Sequence, residues 1–447
     1  MNTKSLILLL FAICVNASFA QKKFSKSELY ADADSLYAII DDYHPNMFEV
    51  MPKEAFEKEL TLIKSSLADS MTVLEFYKKM APLVVKLGDG HTNLGIIEEN
   101  LDGISPKCFP LKINIDKKNL SLTMLKDLAE SGSIPIGAEI LSINGVESRD
   151  VIFSLLKYVS GEKDFYRLES LKLRFGYLLW IEYLADEYEI SYRYNDEPAA
   201  VCVIPAVDPS VVFGNINESS EDREPYVLDI DEDKSIATID FRSFDNLDKF
   251  KVFLDSSFSE IKKKNINNLI IDVRNNGGGY SALGKELFQY ISSVPFELFG
   301  HTTVKIGNRL WNKLSEEAKA KSKRGLTIYD DSKLIELRDN PLRYTGNTYL
   351  LTSNYTFSSA ADFAWVFKYF NMGTVVGEET GGQAVCFGDI RMDYLPITKL
   401  PIGMSCKKFY VYGATDENTH GAIPHYEVDA DQAMDYVLNM INSERKH

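Results

Sequence analysis

Three short segments of the sequence combine nucleophilic, basic and glycine residues in a way that suits acyl transfer. They are residues 87–92, 272–279 and 356–364. Acyl transfer needs a nucleophile, a base that takes its proton, and N–H groups that stabilise a developing oxyanion. The rest of the chain must therefore supply elements that bring these segments together.

The candidate nucleophile is Ser359, in the segment TFSSAADFA at residues 356–364. This segment lies between a predicted strand and a predicted helix. A serine in the first helical turn faces the positive end of the helix dipole and its free N–H groups. The structural alternative is a capping box formed by Ser359 and Asp362.

The second segment, DVRNNGGG at residues 272–279, follows a continuous apolar strand. Gly277, Gly278 and Gly279 allow the backbone to approach a ligand closely and to aim N–H groups at it. The third segment, LGDGHT at residues 87–92, places His91 in a glycine-rich loop. Such a loop lies at a surface or a cleft, and His91 is the candidate base, with an exposed or structural histidine as the alternative.

Hydrophobic periodicity divides the chain into units that would position these segments. Residues 21–104 have helical spacing, including a helix from Val73 to Leu87 that ends at Gly88, and we interpret them as an N-terminal helical domain. Residues 105–206 change to the two-residue period of strands. The run from Gly137 to Gly145, followed by a helix, resembles a PDZ-like domain, which implies a peptide-binding role for Gly137.

Residues 207–225 are polar and acidic, which is typical of a linker. From residue 226 to residue 447, strands alternate with helices. This alternation predicts an α/β layer fold, and the apolar strand 269–273 predicts a sheet that is covered on both faces.

Charge excludes one class of partner. The 447 residues contain 49 Lys and Arg against 65 Asp and Glu, for a net charge of −16. Such a surface repels phosphate backbones, so we expect no nucleic-acid partner.

Residues 1–20 have the features of a secretory signal: Lys4, the apolar run 6–13, and the small residues Ser18 and Ala20 before a cleavage site between Ala20 and Gln21. No later apolar run is long enough to span a bilayer. We therefore expect the protein to be exported, to the periplasm or the extracellular space.

Cysteines after the signal are scattered and show no metal-binding spacing. If a disulfide forms, Cys108 with Cys202 is the first choice, because both lie on strands of one small domain. Buried free thiols are the alternative.

Together the motifs resemble those of the tail-specific (C-terminal-processing) serine proteases. The resemblance includes one further motif, VVGEETGG at residues 375–382, which follows the serine segment. The resemblance extends over nearly the whole chain. It implies a crotonase-like ββα core, hydrolysis of peptides or unfolded proteins by Ser359, and no metal or organic cofactor.

Gln383 stands where one branch of that family has its catalytic lysine. The resemblance to the tricorn-like branch implies instead that His91 is the base and that an acid near the C-terminus orients it, which we assign to Glu417. Two residues depart from the family pattern: Gly90 replaces the bridging serine of tricorn, and His425 replaces the usual Asp.

The mechanism implied by the resemblance has His91 accepting the Ser359 proton while the N–H groups of Gly278 and Ala360 hold the oxyanion. Gly277 and Gly279 would contact the peptide. Two other classes remain open from the sequence: a non-catalytic protein that binds peptides or apolar ligands, and a hydrolase or lyase of small acyl compounds.

Overall fold

The structure is a computed structural model that describes residues 21–101, 104, 106–212 and 224–444. The predicted export signal, residues 1–20, lies outside these ranges, as do residues 213–223 of the predicted linker. Within the described ranges, no helix is long and apolar enough to cross a membrane.

Helices dominate the N-terminal unit, and their starts follow from capping residues. Ser25 and Glu28 form a reciprocal capping box at the first helix, and Thr72 and Glu75 form another at the third. The third helix ends at Val85, slightly before its predicted end. The elements are α1 (Lys26–Tyr43), α2 (Lys53–Ser65), α3 (Val73–Val85), β1 (Lys23–Phe24), β2 (Met71–Thr72) and β3 (Asn93–Leu94).

An antiparallel sheet forms the middle unit, in the order β4-β5-β6-β8-β9, with β7 paired to β6. Its elements are β4 (Leu111–Ile115), β5 (Leu122–Asp127), β6 (Glu139–Ile143), β7 (Val146–Glu147), α4 (Ser148–Leu156), α5 (Asp164–Tyr183), β8 (Glu187–Arg193) and β9 (Ala200–Pro205). Helix α5 was not predicted, although its buried Leu168, Leu171, Phe175 and Leu178 recur at helical spacing.

A largely parallel sheet, in the order β10-β11-β12-β15-β16-β19, forms the layer that carries the serine segment. Strand β10 is antiparallel to β11, and the other pairs are parallel. The elements are β10 (Tyr226–Asp231), β11 (Ile236–Phe241), α6 (Leu247–Lys263), β12 (Asn268–Asp272), α7 (Ala282–Ile291), β15 (Asn347–Thr352), α10 (Ser359–Tyr369), β16 (Thr374–Gly377), β19 (Tyr426–Glu427) and α11 (Ala433–Glu444).

The sheet is buried on both faces, as the apolar run at 269–273 predicts. Every residue of β12 is buried. Leu269 and Ile271 pack with α6, α7 and α10, whereas Ile270 packs with α11 on the opposite face. The α/β prediction is therefore confirmed for this layer.

A second, antiparallel sheet, in the order β14-β13-β18-β17, was not predicted. Its elements, together with two short helices, are β13 (Phe299–Ile306), α8 (Asn308–Lys313), α9 (Glu316–Ala320), β14 (Gly325–Asp330), β17 (Val385–Tyr394) and β18 (Pro401–Val411). The turn between β17 and β18 joins the N-terminal core, because the buried carboxylate of Asp32 accepts hydrogen bonds from the N–H groups of Ile397 and Thr398 and from the Thr398 hydroxyl.

The predicted bridge between Cys108 and Cys202 is not formed, and both residues are free thiols. Cys108 pairs through its backbone with Val207, whereas Cys202 lies opposite Ile190 in the sheet. Burial raises the pKa of the Cys108 thiol to about 12, which makes it a poor nucleophile for disulfide exchange.

Asp32→Ala should destabilise the fold, because it leaves two buried N–H groups without an acceptor. We expect the free energy of unfolding to fall by about 3 kcal/mol, measured by urea denaturation. Asp34→Ala is the matched control, since Asp34 is 62% exposed in its ion pair with Lys64 and should cost less than about 1 kcal/mol. Equal losses in both variants would contradict this role of Asp32.

Candidate active site

Strand β3 brings the histidine loop of the N-terminal unit against the core. Leu94 and Asn93 pair with Ile402 and Gly403 of β18. The N–H of Gly95 also donates to the Pro401 carbonyl at 2.7 Å. The loop that precedes β3, residues 88–92, is thereby held beside the serine segment.

Asp89 anchors this loop from within the protein. Its Oδ2 accepts hydrogen bonds from the Ser405 hydroxyl at 2.7 Å, from His44 Nε2 at 3.2 Å and from the Thr92 hydroxyl. Its Oδ1 accepts the His91 backbone N–H at 2.9 Å. Burial raises the pKa of Asp89, but the hydrogen bonds and charges of His44 and His91 outweigh burial and hold the pKa well below its usual range.

The His91 ring faces a serine on one side and acids on the other. Its Nε2 lies 3.1 Å from Ser358 Oγ, and its Nδ1 lies 3.7 Å from Asp89 Oδ1. The ring stacks on Phe357 with centroids 4.8 Å apart. The two nitrogens thus have the different surroundings that a general base requires.

Ser358 occupies the junction between the β15 loop and α10 in an unusual backbone conformation, with φ 51° and ψ −133°. Its side chain is not used as a helix cap. Strained residues at such junctions are found where a side chain is held out for function. A Cβ on Gly278 would lie 2.8 Å from Ser358 Cβ, and a Cβ on Gly382 would lie 2.9 Å from Ser358 N. Gly278 and Gly382 therefore have to be glycines, because a side chain at either position would collide with Ser358.

Ser359 has a different environment from the one expected of the nucleophile. It is 4% exposed, its hydroxyl donates to the Gly279 carbonyl at 2.7 Å, and its Oγ lies 2.8 Å from Ser281 Oγ. These bonds tie the glycine loop to α10. The geometry thus favours Ser358 and gives Ser359 a structural role, though not in the capping box considered above.

The predicted oxyanion donors are already engaged. The Gly278 N–H donates to Asn276 Oδ1 at 2.8 Å, and the Ala360 N–H donates to the Phe357 carbonyl at 3.1 Å. By contrast, the N–H groups of Ser359, Gly277 and Gly279 have no acceptor within the described ranges. The N–H groups that are free to bind an oxyanion thus belong to the residues next to the predicted donors, Gly278 and Ala360.

Gly137 lies in the middle unit, where its own N–H donates to the Met124 carbonyl at 2.8 Å. Its Cβ position is open to solvent. Its peptide-binding role stays a prediction, and any contact with a peptide would have to use another group.

Glu417 is exposed in the loop after β18, and its carboxylate makes no hydrogen bond or ion pair to any residue that the structure describes. The acids whose charges act on His91 are instead Asp89, Glu162 and Asp362. The assignment of Glu417 as the orienting acid is therefore not supported by the geometry.

Burial and charge shift the acid–base behaviour of this group. Burial lowers the pKa of His91, but Asp89, Glu162 and Asp362 raise it above its usual value. Burial, followed by the charge of Asp89, raises the pKa of Glu162 to about 7, and burial raises that of Asp362 to about 7. Several groups thus exchange protons near neutrality, as is typical of catalytic sites.

Asp89, His91 and Glu162 have ligand-type atoms within 4.8 Å of one another, a spacing that could hold a cation. However, hydrogen-bond donors already occupy both oxygens of Asp89. We therefore interpret the three groups as the charged surroundings of the His91 ring and not as a metal site.

Three residues of the site, Ser358, Asp89 and Glu162, were not predicted from the sequence, which contained signals for only two of them. Ser358 and Asp89 lie within the quoted motifs next to the chosen residues. Glu162 lies in a different unit, between α4 and α5, and no local pattern distinguishes it from the other glutamates.

Comparisons with known proteins identify a similar family and a similar fold. Residues 235–428 match the model of peptidase family S41. The solved structure of mature CPAF has a TM-score of 0.67 at 14% identity, with 94% of this chain and 98% of that chain covered. CPAF complexed with lactacystin has a TM-score of 0.65 at 12% identity, with the same coverage of 94% and 98%. A comparison with curated protein sequences finds no match.

Residues 235–428 are therefore similar to peptidase family S41, and the chain shares the fold of mature CPAF.

Gly278→Ala should disrupt the site more than its backbone angle alone explains. Gly278 and Gly325 have similar φ values, +99° and +92°, but only the Gly278 Cβ would meet other atoms, with Phe357 O at 2.8 Å. We expect Gly325→Ala to cost about 1 kcal/mol of unfolding free energy and Gly278→Ala about 1–3 kcal/mol more. Urea denaturation measures both, and similar losses would show that the close approach to the serine loop is unimportant.

Proposed function

We propose that this protein is an exported serine endopeptidase that hydrolyses peptide bonds near free C-termini, with Ser358 as its nucleophile and His91 as its general base. The observation that carries this proposal is the 3.1 Å separation of His91 Nε2 and Ser358 Oγ. A base must lie within hydrogen-bond reach of the proton that it removes. The secretory features of residues 1–20 support export.

In the first step, Ser358 Oγ attacks the peptide carbonyl while its proton passes to His91 Nε2. The imidazolium then donates this proton to the leaving amine, and an acyl-enzyme remains on Ser358. Water, deprotonated by His91, hydrolyses the acyl-enzyme. The buried Asp89 carboxylate stabilises the imidazolium electrostatically across 3.7 Å.

The oxyanion is assigned to the free N–H of Ser359 and to the free N–H groups of the glycine loop at Gly277 and Gly279. An N–H that already donates elsewhere, as at Gly278 and Ala360, would have to break that bond first. Pre-organised donors contribute most because they need no rearrangement during the reaction. The same exposed glycines offer the surface along which the peptide backbone would bind.

Gln383 and Gly90, at two positions where the sequence departs from the family pattern, have structural explanations that are compatible with catalysis. Gln383, at the place of the lysine, donates to the Thr419 carbonyl at 3.1 Å. Gly90, at the place of the bridging serine, has no room for a side chain, because a Cβ there would lie 2.6 Å from Phe357 Cζ.

Ser358→Ala and His91→Ala should each lower kcat for peptide hydrolysis by about 10⁴-fold or more, because members of a nucleophile–base pair act as a unit. Ser359→Ala should retain labelling by a fluorophosphonate probe, whereas Ser358→Ala should not. Ser359→Ala is the matched control because it removes a hydroxyl one residue away. Labelling that is lost only in Ser359→Ala would restore Ser359 as the nucleophile. A wild type that neither labels nor cleaves peptides would favour the binding-protein alternative.

In the pH profile of kcat/KM, the midpoint of the acidic limb should lie above the ordinary histidine pKa of about 6.5. His91 must be neutral to act as a base, and its pKa is raised, so kcat/KM should fall as the pH drops through this raised pKa. Asp89→Asn removes a negative charge and should shift the limb to lower pH while kcat decreases. Asp34→Asn, at a distant exposed site, should shift nothing. An unmoved limb in Asp89→Asn would contradict the assignment of the limb to His91.

A further inference from the structure

The segment that joins α4 to α5 in the middle unit is packed onto the histidine loop. The Ser160 hydroxyl donates to the Thr92 carbonyl at 2.8 Å. Tyr166 stacks on Phe357 with centroids 4.0 Å apart, and Phe357 stacks in turn on His91. Side chains of residues 160–166 are therefore held at fixed positions relative to the His91 ring.

Glu162, within this segment, lies close to His91, because ligand-type atoms of these two residues and of Asp89 lie within 4.8 Å of one another. Its Oε1 accepts the Gly90 N–H at 3.1 Å. Its Oε2 and His91 Nδ1 are both buried polar atoms without a hydrogen-bond partner within the described ranges. His91 is only 8% exposed, so water has little access to satisfy its Nδ1. Two buried polar atoms without partners on neighbouring side chains are costly unless they pair during function.

Gly90 leaves the space that this carboxyl group occupies. A Cβ at Gly90 would lie 3.0 Å from Glu162 Oε2 and 2.6 Å from Phe357 Cζ. A serine at this position would therefore collide with both the Phe357 ring and Glu162. The glycine at position 90, where the family pattern has a serine, thus provides the room in which the Glu162 carboxyl group lies.

We infer that Glu162 is the positioning residue that holds His91 by its Nδ1 in the orientation needed for catalysis, in the place assigned above to a C-terminal acid. This inference rests on the proposed function. As the Ser358 proton moves to Nε2, the proton on Nδ1 stays on that nitrogen and is shared in a hydrogen bond with Glu162 Oε2. Asp89 cannot replace this bond, because its Oδ1 is 3.7 Å away and already accepts the His91 N–H.

The charges around Glu162 are consistent with this role. Its carboxyl group exchanges its proton near neutrality, because burial and the charge of Asp89 raise its pKa to about 7 while His91 opposes the rise. An ionised Glu162 in turn raises the pKa of His91. The other titratable groups that interact with this buried cluster are Asp362, Cys386, Tyr166 and His44.

Glu162→Gln is the test, because it changes the hydrogen-bond chemistry with little change in shape. If the amide oxygen keeps the Gly90 N–H, the amide NH₂ group faces Nδ1. That amide favours the tautomer with the proton on Nε2, which cannot accept the Ser358 proton. We expect kcat to fall by about 10²–10⁴-fold with KM little changed, and the acidic limb to move to lower pH. Glu197→Gln, at an exposed turn of the same unit, is the control and should match wild type.

A measurement that needs no activity separates this inference from the proposed function. Long-range ¹H–¹⁵N spectra of the imidazole should show neutral His91 with its proton on Nδ1 in wild type and on Nε2 in Glu162→Gln, in the presence of EDTA. The experiment is informative even if wild type cleaves no peptide. An unchanged tautomer and an unchanged kcat in Glu162→Gln would overturn the inference. Loss of activity with the wild-type tautomer and pH profile would overturn it too, since it would indicate structural damage alone.

Discussion

The site depends on one short strand pairing, that of β3 with β18. His91 comes from the N-terminal unit and Ser358 from the α/β layer, and they are 267 positions apart in the chain. The pairing covers only two residues of each strand and would be weak alone. It is reinforced by buried carboxylates on both sides: Asp32 holds the β17–β18 turn, and Asp89 bonds to Ser405 on β18. Charge-assisted hydrogen bonds across units thus hold the His91 loop beside Ser358.

Burial of several ionisable groups together explains why this site suits acid–base chemistry. A lone buried carboxylate would simply take up a proton. Asp89 stays ionised because His44, Thr92, Ser405 and the His91 backbone all donate to it. Glu162 and Asp362 have fewer donors, so burial raises their pKa values toward neutrality. The hydrogen bonds and neighbouring charges of each acid, and not its residue type, therefore set the direction of its pKa shift.

Close approach of the backbone determines which of the two serines faces His91. Gly278 and Gly382 pack so tightly around Ser358 that neither position tolerates a Cβ. The same packing rotates the next side chain, Ser359, toward Ser281 and the Gly279 carbonyl. One serine is thus presented to the histidine, while its neighbour holds the loop that presents it. Hydroxyl groups of identical chemistry acquire different functions through their hydrogen bonds alone.

The sequence by itself determined the doubly covered strand, the three candidate segments, the resemblance to a protease family and His91 as the candidate base. These follow from local composition, since apolar runs and glycine clusters reflect constraints on their own segments. Tertiary structure alone decided between Ser358 and Ser359, because one residue at a helix start turns a side chain by about 100°. It also decided the acids near His91: Glu162 comes from another unit through packing that no periodicity reveals, whereas Glu417 matched a motif but lies exposed.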